Sequence, residues 1–278
     1  MKKKYAKLKK VLFYVFIALF LVVMLFPFYW QVVTSLRYQR DISSMTLLPD
    51  LSDLNYTSYV TIFTKRPFAR YIMNSLGISL ITMVLCITVT SLAAYALARL
   101  RFKGKPFILG LSLCVSMFPA IAVISPMYMF ISNIGLRNTW WGLVIPYMTF
   151  GIPLSLWYLT TFFKSIPLEL EEAAKIDGCS NIQAFTKVVL PLAIPGMFTT
   201  AILIFIQAWN EYLFSLTINT DDTARTIPVG ITMFRGEYTI PWVENAAAIV
   251  TVTVPLAIIV LILQKRIISG LTSGAVKG

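Results

Sequence analysis

The sequence predicts an all-α membrane protein. It has six transmembrane helices, both termini on the cytoplasmic side, and a cytoplasmic helix–Gly–helix loop between the fourth and fifth spans. Three observations carry this expectation. Of 278 residues, 58% are hydrophobic and 13% charged, whereas soluble domains carry about 25% charged residues. Six apolar runs are each long enough to cross a bilayer, which takes about 20 residues. Lys and Arg gather in the connections on one side.

The spans read as 11–35, 72–98, 107–132, 139–163, 191–217 and 244–264, within one domain covering 1–278. The first follows Lys2, Lys3 and Lys4 and could be a signal peptide. Its apolar run continues through Val22, Val23, Met24 and Leu25 to Pro27 without a small-residue cleavage site, so it reads as an uncleaved span. With the N-terminus inside, segments 1–10, 99–106, 164–190 and 265–278 hold 16 of the 24 Lys and Arg. The strongest contributors are the Lys-rich start and Arg99-Leu100-Arg101-Phe102-Lys103. Trp140 and Trp141 open the fourth span, where indoles favour the outer interface. Pro119, Pro126, Pro146 and Pro153 fall within spans and are expected to kink them.

Composition also excludes function classes. A net charge of +12 in a soluble protein would suggest nucleic acid; here the basic residues stand just outside apolar runs, so lipid is the expected partner and nucleic acid is not. Three Cys imply no disulfide framework, and the absence of His removes His-based zinc sites and triads. No G-x-x-x-x-G-K-[ST] phosphate loop occurs; Gly104-Lys105 is followed by Pro106. No carboxylate cluster lies within a span, against both an intramembrane enzyme and an ion-driven carrier.

The cytoplasmic segment 164–190 breaks the charge pattern. It sets Glu169, Glu171, Glu172 and Asp177 against Lys164, Lys175 and Lys187, for a net charge of −1. Ser165-Ile166-Pro167 reads as a helix start, with the three Glu favoured by the dipole of the first turns. Gly178 fits a left-handed stop. Ser180-Asn181-Ile182-Gln183 has the form of a capping box, opening a second short helix to about Val189. From the residues alone this is either a solvated hairpin or a docking knob, in which small Ala173 and Ala174 allow close approach and Gly178 sets a rigid corner.

Glu172-Ala173-Ala174, then Gly178, Val188 and Leu190-Pro191, resembles the EAA loop of ATP-binding-cassette importer permeases. The family usually carries Ile where this chain has Val188. Trp209-Asn210-Glu211-Tyr212 is similar to a segment of the carbohydrate-uptake permeases, and the terminal run from Gly270 to Gly278 resembles the tail of the smaller permease of the maltose-type pair. The resemblance implies a permease for a di- or oligosaccharide in a bacterial or archaeal plasma membrane. It would pair with a second permease, two ATP-binding-cassette ATPases and an extracytoplasmic sugar-binding protein. ATP and Mg would bind the ATPases, and this chain would hold no cofactor, no metal and no catalytic residue.

By the same resemblance, Glu172, Ala173, Ala174, Asp177, Gly178, Leu190 and Pro191 couple to an ATPase. Trp209, Asn210, Glu211 and Tyr212 belong to an outer gate or a binding-protein contact; the alternative is that Asn210 and Glu211 simply sit wet at the interface. Gly274, Lys277 and Gly278 insert between the ATPases, against the alternative of a frayed terminus. The outer loop 218–243 would reach into the binding protein. Its Asp221-Asp222 pair reads as a solvated turn rather than a metal site. A glycerol-phosphate or other polyol-derivative importer is the alternative within the family.

Overall fold

The computed structural model describes residues 2–43, 46–48, 52–234 and 240–273. Every regular element among them is helical. They form two compact units, residues 1–68 with 231–256, and 69–230 with 257–278.

In the first unit, α1 (Lys2–Ser35) is uniformly apolar past its basic start, with Phe16 66% and Val23 67% exposed. Such side chains suit lipid, not water. Helix α2 (Thr57–Thr64) is tied back by the Ser35–Tyr59 hydroxyl pair at 2.7 Å. Gln39 donates to the Ile240 carbonyl at 2.9 Å, and Arg66 pairs with Glu244 at 3.1 Å under the Phe234 ring.

The second unit contains most of α3 (Phe68–Arg99), then α4 (Lys105–Met117), α5 (Ala120–Asn133) and α6 (Trp140–Ser165). It continues with α7 (Glu169–Ile176), α8 (Asn181–Ala184), α9 (Leu190–Trp209), α10 (Leu213–Ile218) and most of α11 (Ile227–Thr232). The last helix, α12 (Trp242–Ser273), begins in the first unit and ends in the second. Among the described residues, five helices are long and apolar enough to cross a membrane, at Lys9–Ser35, Phe68–Arg99, Trp140–Ser165, Asn181–Trp209 and Trp242–Ile262.

The third expected span, 107–132, is not one helix. It breaks at Phe118-Pro119 into α4 and α5, bent by 95°. Phe118 is extended (ψ 131°), as a residue preceding proline prefers, and so is Pro119 (ψ 127°). Pro126, Pro146 and Pro153 remain inside helices. The fifth expected span, 191–217, is also interrupted. Its helix ends at Trp209, and Asn210–Tyr212 separate it from α10. At its other end the expected stop before Leu190-Pro191 is absent. A wide π-turn over Phe185–Val189 joins α8 to α9, with the Leu190 N–H reaching the Phe185 carbonyl. Pro191 cannot donate and crowds the carbonyl four residues back, and the widened turn absorbs that conflict.

Two hydrophobic clusters hold this unit. One packs Tyr95, Leu97, Leu159, Phe163 and Phe185 around the α6–α7 corner. The other packs Ile78, Ile131, Leu143, Tyr147 and Phe214 toward the opposite helix ends. Helices α6 and α9 meet where Gly196 faces Phe162, and a Cβ on Gly196 would lie 2.4 Å from that ring. Gly196→Ala is therefore expected to destabilise the unit by about 1–3 kcal/mol, the usual cost of overpacking. A lowered unfolding midpoint in detergent is the measurement.

Candidate functional site

The charged loop has one face held against the chain and one face exposed. Helix α7 ends in a Schellman motif: the Cys179 N–H donates to the Ala174 carbonyl and the Gly178 N–H to the Lys175 carbonyl, both at 3.0 Å. Gly178 has φ +88°, and a Cβ there would meet nothing within 4 Å. The corner thus needs glycine for its backbone, with open space around it. The capping box forms as the residues predict, with Gln183 accepting from the Ser180 N–H at 2.9 Å and Ser180 accepting from the Gln183 N–H at 3.3 Å.

The inward face is set by Glu171, which local sequence does not distinguish from its neighbours. Its side chain is 2% exposed and meets Arg99, 7% exposed, with Oε2 3.3 Å from Nε. That contact is an ion pair outside hydrogen-bond geometry. Glu171 Oε1 accepts from the Tyr95 hydroxyl at 2.9 Å and from Lys175 at 2.9 Å. Arg99 also donates to the Ile166 carbonyl at 2.7 Å. One guanidinium at the end of α3 therefore fixes both the α6–α7 corner and α7. The signal available in sequence was i, i+4 spacing of Glu171 and Lys175, plus an Arg closing an apolar span.

The free face carries Glu172, Ala173, Asp177 and Gly178, with Ile176 at 87% and Ile182 at 75% exposure. Ala174 departs from the expectation of a small-residue contact surface: it is 8% exposed and turned into the chain. Three residues after Glu171 on α7, it shares the buried stripe. Leu190 is half-buried and Pro191 exposed, both past the π-turn. Exposed Ile176 and Ile182 were missed as candidates because apolar residues in a mostly apolar chain do not stand out.

Trp209–Tyr212 lie at the far end of α9, about 30 Å from Pro191 by helix rise, so the two motifs do not form one site. Trp209 stacks on Phe205 at 5.6 Å, and Asn210 folds back onto the Ile206 carbonyl at 2.9 Å. Glu211 does not lie in a continuous span running to 217: α9 ends at Trp209 and the next helix starts at Leu213. It sits in the break after Trp209 and accepts from the N–H groups of Phe214 (2.9 Å) and Ser215 (3.2 Å), capping α10. Tyr212 is 39% exposed.

In the 218–234 connection, Asp221 accepts from the Thr223 N–H at 2.8 Å, which holds its carboxyl below the usual carboxylate range. Asp222 pairs with Arg225 and accepts from the Tyr71 hydroxyl at 3.0 Å. Both carboxylates serve a turn. Gly274, Lys277 and Gly278 lie outside the described residues.

Comparison with known proteins gives concordant results. A family described as binding-protein-dependent transport system inner membrane component matches residues 90–272. The trehalose transport system permease protein SugB of Mycobacterium tuberculosis is 43% identical over 256 residues, covering 91% of this chain and 93% of that protein. The trehalose/maltose transport system permease protein MalG of Thermococcus litoralis is 41% identical over 273 residues, covering 98% of each. In structure, a chain of a bacterial transporter importing the acidic polysaccharide alginate superposes with TM-score 0.81 at 21% identity, over 93% of this chain and 96% of that one.

Proposed function

Because the chain belongs to the family of binding-protein-dependent transport system inner membrane components, we propose that it is the smaller permease of a heterodimeric, ATP-driven sugar importer. It forms half of the translocation pathway in the inner membrane, and the substrate is a di- or oligosaccharide delivered by an extracytoplasmic binding protein. The observation that carries the mechanical part is the loop's anchorage: a helix–Gly–helix body with a free tip, pinned to α3 by the buried Arg99–Glu171 pair. A push on that tip is passed to a transmembrane helix without being lost in loop flexibility.

In this reading two ATPase subunits bind ATP and Mg, and one of them grips the free face of the loop. Closure of the ATPases moves the tip, and the tip moves α3 and α9. Glu172 and Asp177 supply acceptors to the partner, while Ala173 and Gly178 let it approach closely. Ile176 and Ile182 contribute apolar area on the same face. Ala174 supports the contact from inside by allowing α7 to sit close on its own chain. The tail residues Gly274, Lys277 and Gly278 reach between the ATPases.

The test is reconstitution of both permeases, the ATPases and the binding protein in proteoliposomes. Uptake of trehalose or maltose that requires ATP and survives collapse of ion gradients is the expected result. Uptake driven by an ion gradient alone overturns the reading. Preference for glycerol phosphate over neutral sugars in the same vesicles would favour the polyol-derivative alternative.

Sidedness has its own measurement. Cys179 is half-buried on the loop, Cys86 is buried, and Cys114 faces outward from α4 within the broken span. A membrane-impermeant maleimide is expected to label Cys179 in inside-out vesicles and to leave it unlabelled in right-side-out ones. Labelling from the outer face would invert the topology.

A further inference from the structure

Arg37 is a buried charge without a counter-ion. It is 8% exposed, and no carboxylate pairs with it among the described residues. Burying a charge is costly, so buried charges are normally paired. The other described arginines follow that rule. Arg99, as deeply buried, has Glu171. Arg66 and Arg225, about a quarter exposed, have Glu244 and Asp222. Arg70, Arg101 and Arg137 are exposed. The Arg37 Nη2 donates to the carbonyl and hydroxyl of Thr46, the hydroxyl at 3.0 Å, and the guanidinium lies 5.3 Å over the Trp30 ring. Nε and Nη1 find no acceptor among the described residues. These contacts fix the group in place and leave its charge unmatched.

The guanidinium lines a cavity of about 440 Å³ that lies entirely within the first unit. That volume falls in the range of small-molecule sites, about 300–1,000 Å³. Arg37 is the one charged residue in the lining, which therefore carries a single positive charge. Asn245 Oδ1 is buried there with no partner among the described residues. Orphaned buried oxygens also occur at Ser79, Ser132 and Thr160, so Asn245 does not make a site by itself; it adds an acceptor to a site that Arg37 defines. The position is that of a membrane interface. Helix α1 is apolar and exposed up to Phe28 and Tyr29, and its spanning stretch ends at Ser35. Trp30 and Trp242 flank the cavity, and indoles favour the interface. Arg37 stands about 10 Å beyond Trp30 by helix rise, at headgroup depth. Ile249, inside the span Trp242–Ile262, forms the apolar end.

We propose that this cavity binds one phospholipid with a net negative headgroup, such as phosphatidylglycerol. The phosphodiester sits on the Nε–Nη1 edge of Arg37, a fork that matches phosphate oxygens. A headgroup hydroxyl donates to Asn245 Oδ1. The lipid's glycerol backbone and first methylenes lie against Trp30, Trp242 and Ile249. A zwitterionic headgroup fits less well, because its cation meets no carboxylate in the lining. A soluble phosphate shares the chemistry at Arg37 but has nothing to set against the apolar wall. The bound lipid joins the end of α1 to the start of α12. Lipid binding is read without transport, so the site does not depend on the importer reading above.

The test uses the full chain, purified from membranes with the chains that copurify with it. The protein is delipidated in neutral detergent and titrated with phosphatidylglycerol under native mass spectrometry. Arg37→Gln is expected to weaken the tightest-bound lipid about tenfold to a hundredfold, the worth of charge-assisted hydrogen bonds. Asn245→Leu keeps the charge and is expected to weaken it about fivefold, the loss of one net hydrogen bond. Phosphatidylcholine should bind the unaltered protein more weakly, and excess inorganic phosphate should not displace the lipid. Equal binding by the unaltered protein and both variants overturns the site, as does equal binding of the two lipids. Displacement by inorganic phosphate overturns the lipid in favour of a soluble anion. Binding only after a copurifying chain is stripped away shows that protein covers the cavity and also overturns the proposal. If Arg37→Gln does not accumulate in membranes, Asn245→Leu decides alone, and undiminished binding overturns the site.

Discussion

Gly178→Leu is expected to lower sugar uptake at least tenfold while the protein still inserts and still copurifies with its partner permease. The backbone at this corner has φ +88°, where an L-residue pays about 1–2 kcal/mol. That strain alone shifts the corner population by a factor of about five to thirty. Because a Cβ there meets nothing of its own chain within 4 Å, the rest of the unit has no reason to unfold. The damage is confined to the tip: a re-aimed corner and added bulk where the ATPase must grip. Gly178→Asn separates the two causes, since Asn tolerates the left-handed region at lower cost. It keeps the corner and adds a smaller side chain, so its uptake should lie between the unaltered protein and Gly178→Leu. Paired measurement of uptake and ATP hydrolysis in proteoliposomes is the readout. Normal uptake by Gly178→Leu would remove the corner from the mechanism.

Arg99→Ala should have the second large effect. It leaves Glu171, 2% exposed, without its buried counter-ion, and breaking a buried pair this way costs about 3–5 kcal/mol. It also removes the donor to the Ile166 carbonyl. The loss is local, so amide exchange over residues 166–180 is expected to accelerate by about two to four orders of magnitude, following the same free energy. Exchange in the rest of α3 and α6 should change far less. The double variant Arg99→Met with Glu171→Met removes both charges and keeps apolar volume, and it should restore most of the protection. If Arg99→Ala leaves exchange over 166–180 unaltered, the pair is not what holds the loop. If it loosens the loop and transport persists at full rate, rigidity of the loop is not needed for coupling.

The two substitutions bear on different parts of one lever. Gly178 shapes the end that a partner grips, and Arg99 fixes the end that moves the membrane helices. Loss of coupling with an ordered loop is expected from the first, and loss of coupling with a loosened loop from the second.

Much of this loop was legible in the residues. Ser180 and Gln183 announce a capping box because both partners lie within one turn, and Gly178 announces a left-handed stop because no other residue adopts it so cheaply. The division of labour within Glu169-Leu170-Glu171-Glu172-Ala173-Ala174 was not legible. Glu171 and Glu172 are chemically identical, as are Ala173 and Ala174, and only the rotational phase of α7 against its own chain decides which one of each faces in. The same holds for the prolines. Pro119 breaks its span while Pro126, Pro146 and Pro153 do not, and local sequence offers no rule that picks it out. Glu211 was placed near the end of a span by counting residues, because nothing local shows that the helix stops at Trp209 and that Glu211 caps the next one.

The sequence by itself determined that the chain lives in a membrane, where its apolar runs lie, and that residues 164–190 form a helix–Gly–helix body. These follow from transfer free energies, charge placement and capping, which depend on a residue and its neighbours within a turn or two. The tertiary structure alone decided that Arg99 and Glu171 share a buried contact, that Ala174 turns inward, and that Arg37 and Asn245, far apart in the chain, border the same cavity. Those facts depend on pairings across long stretches of chain, such as Arg99 with Glu171, whose energies exist only once the helices have packed.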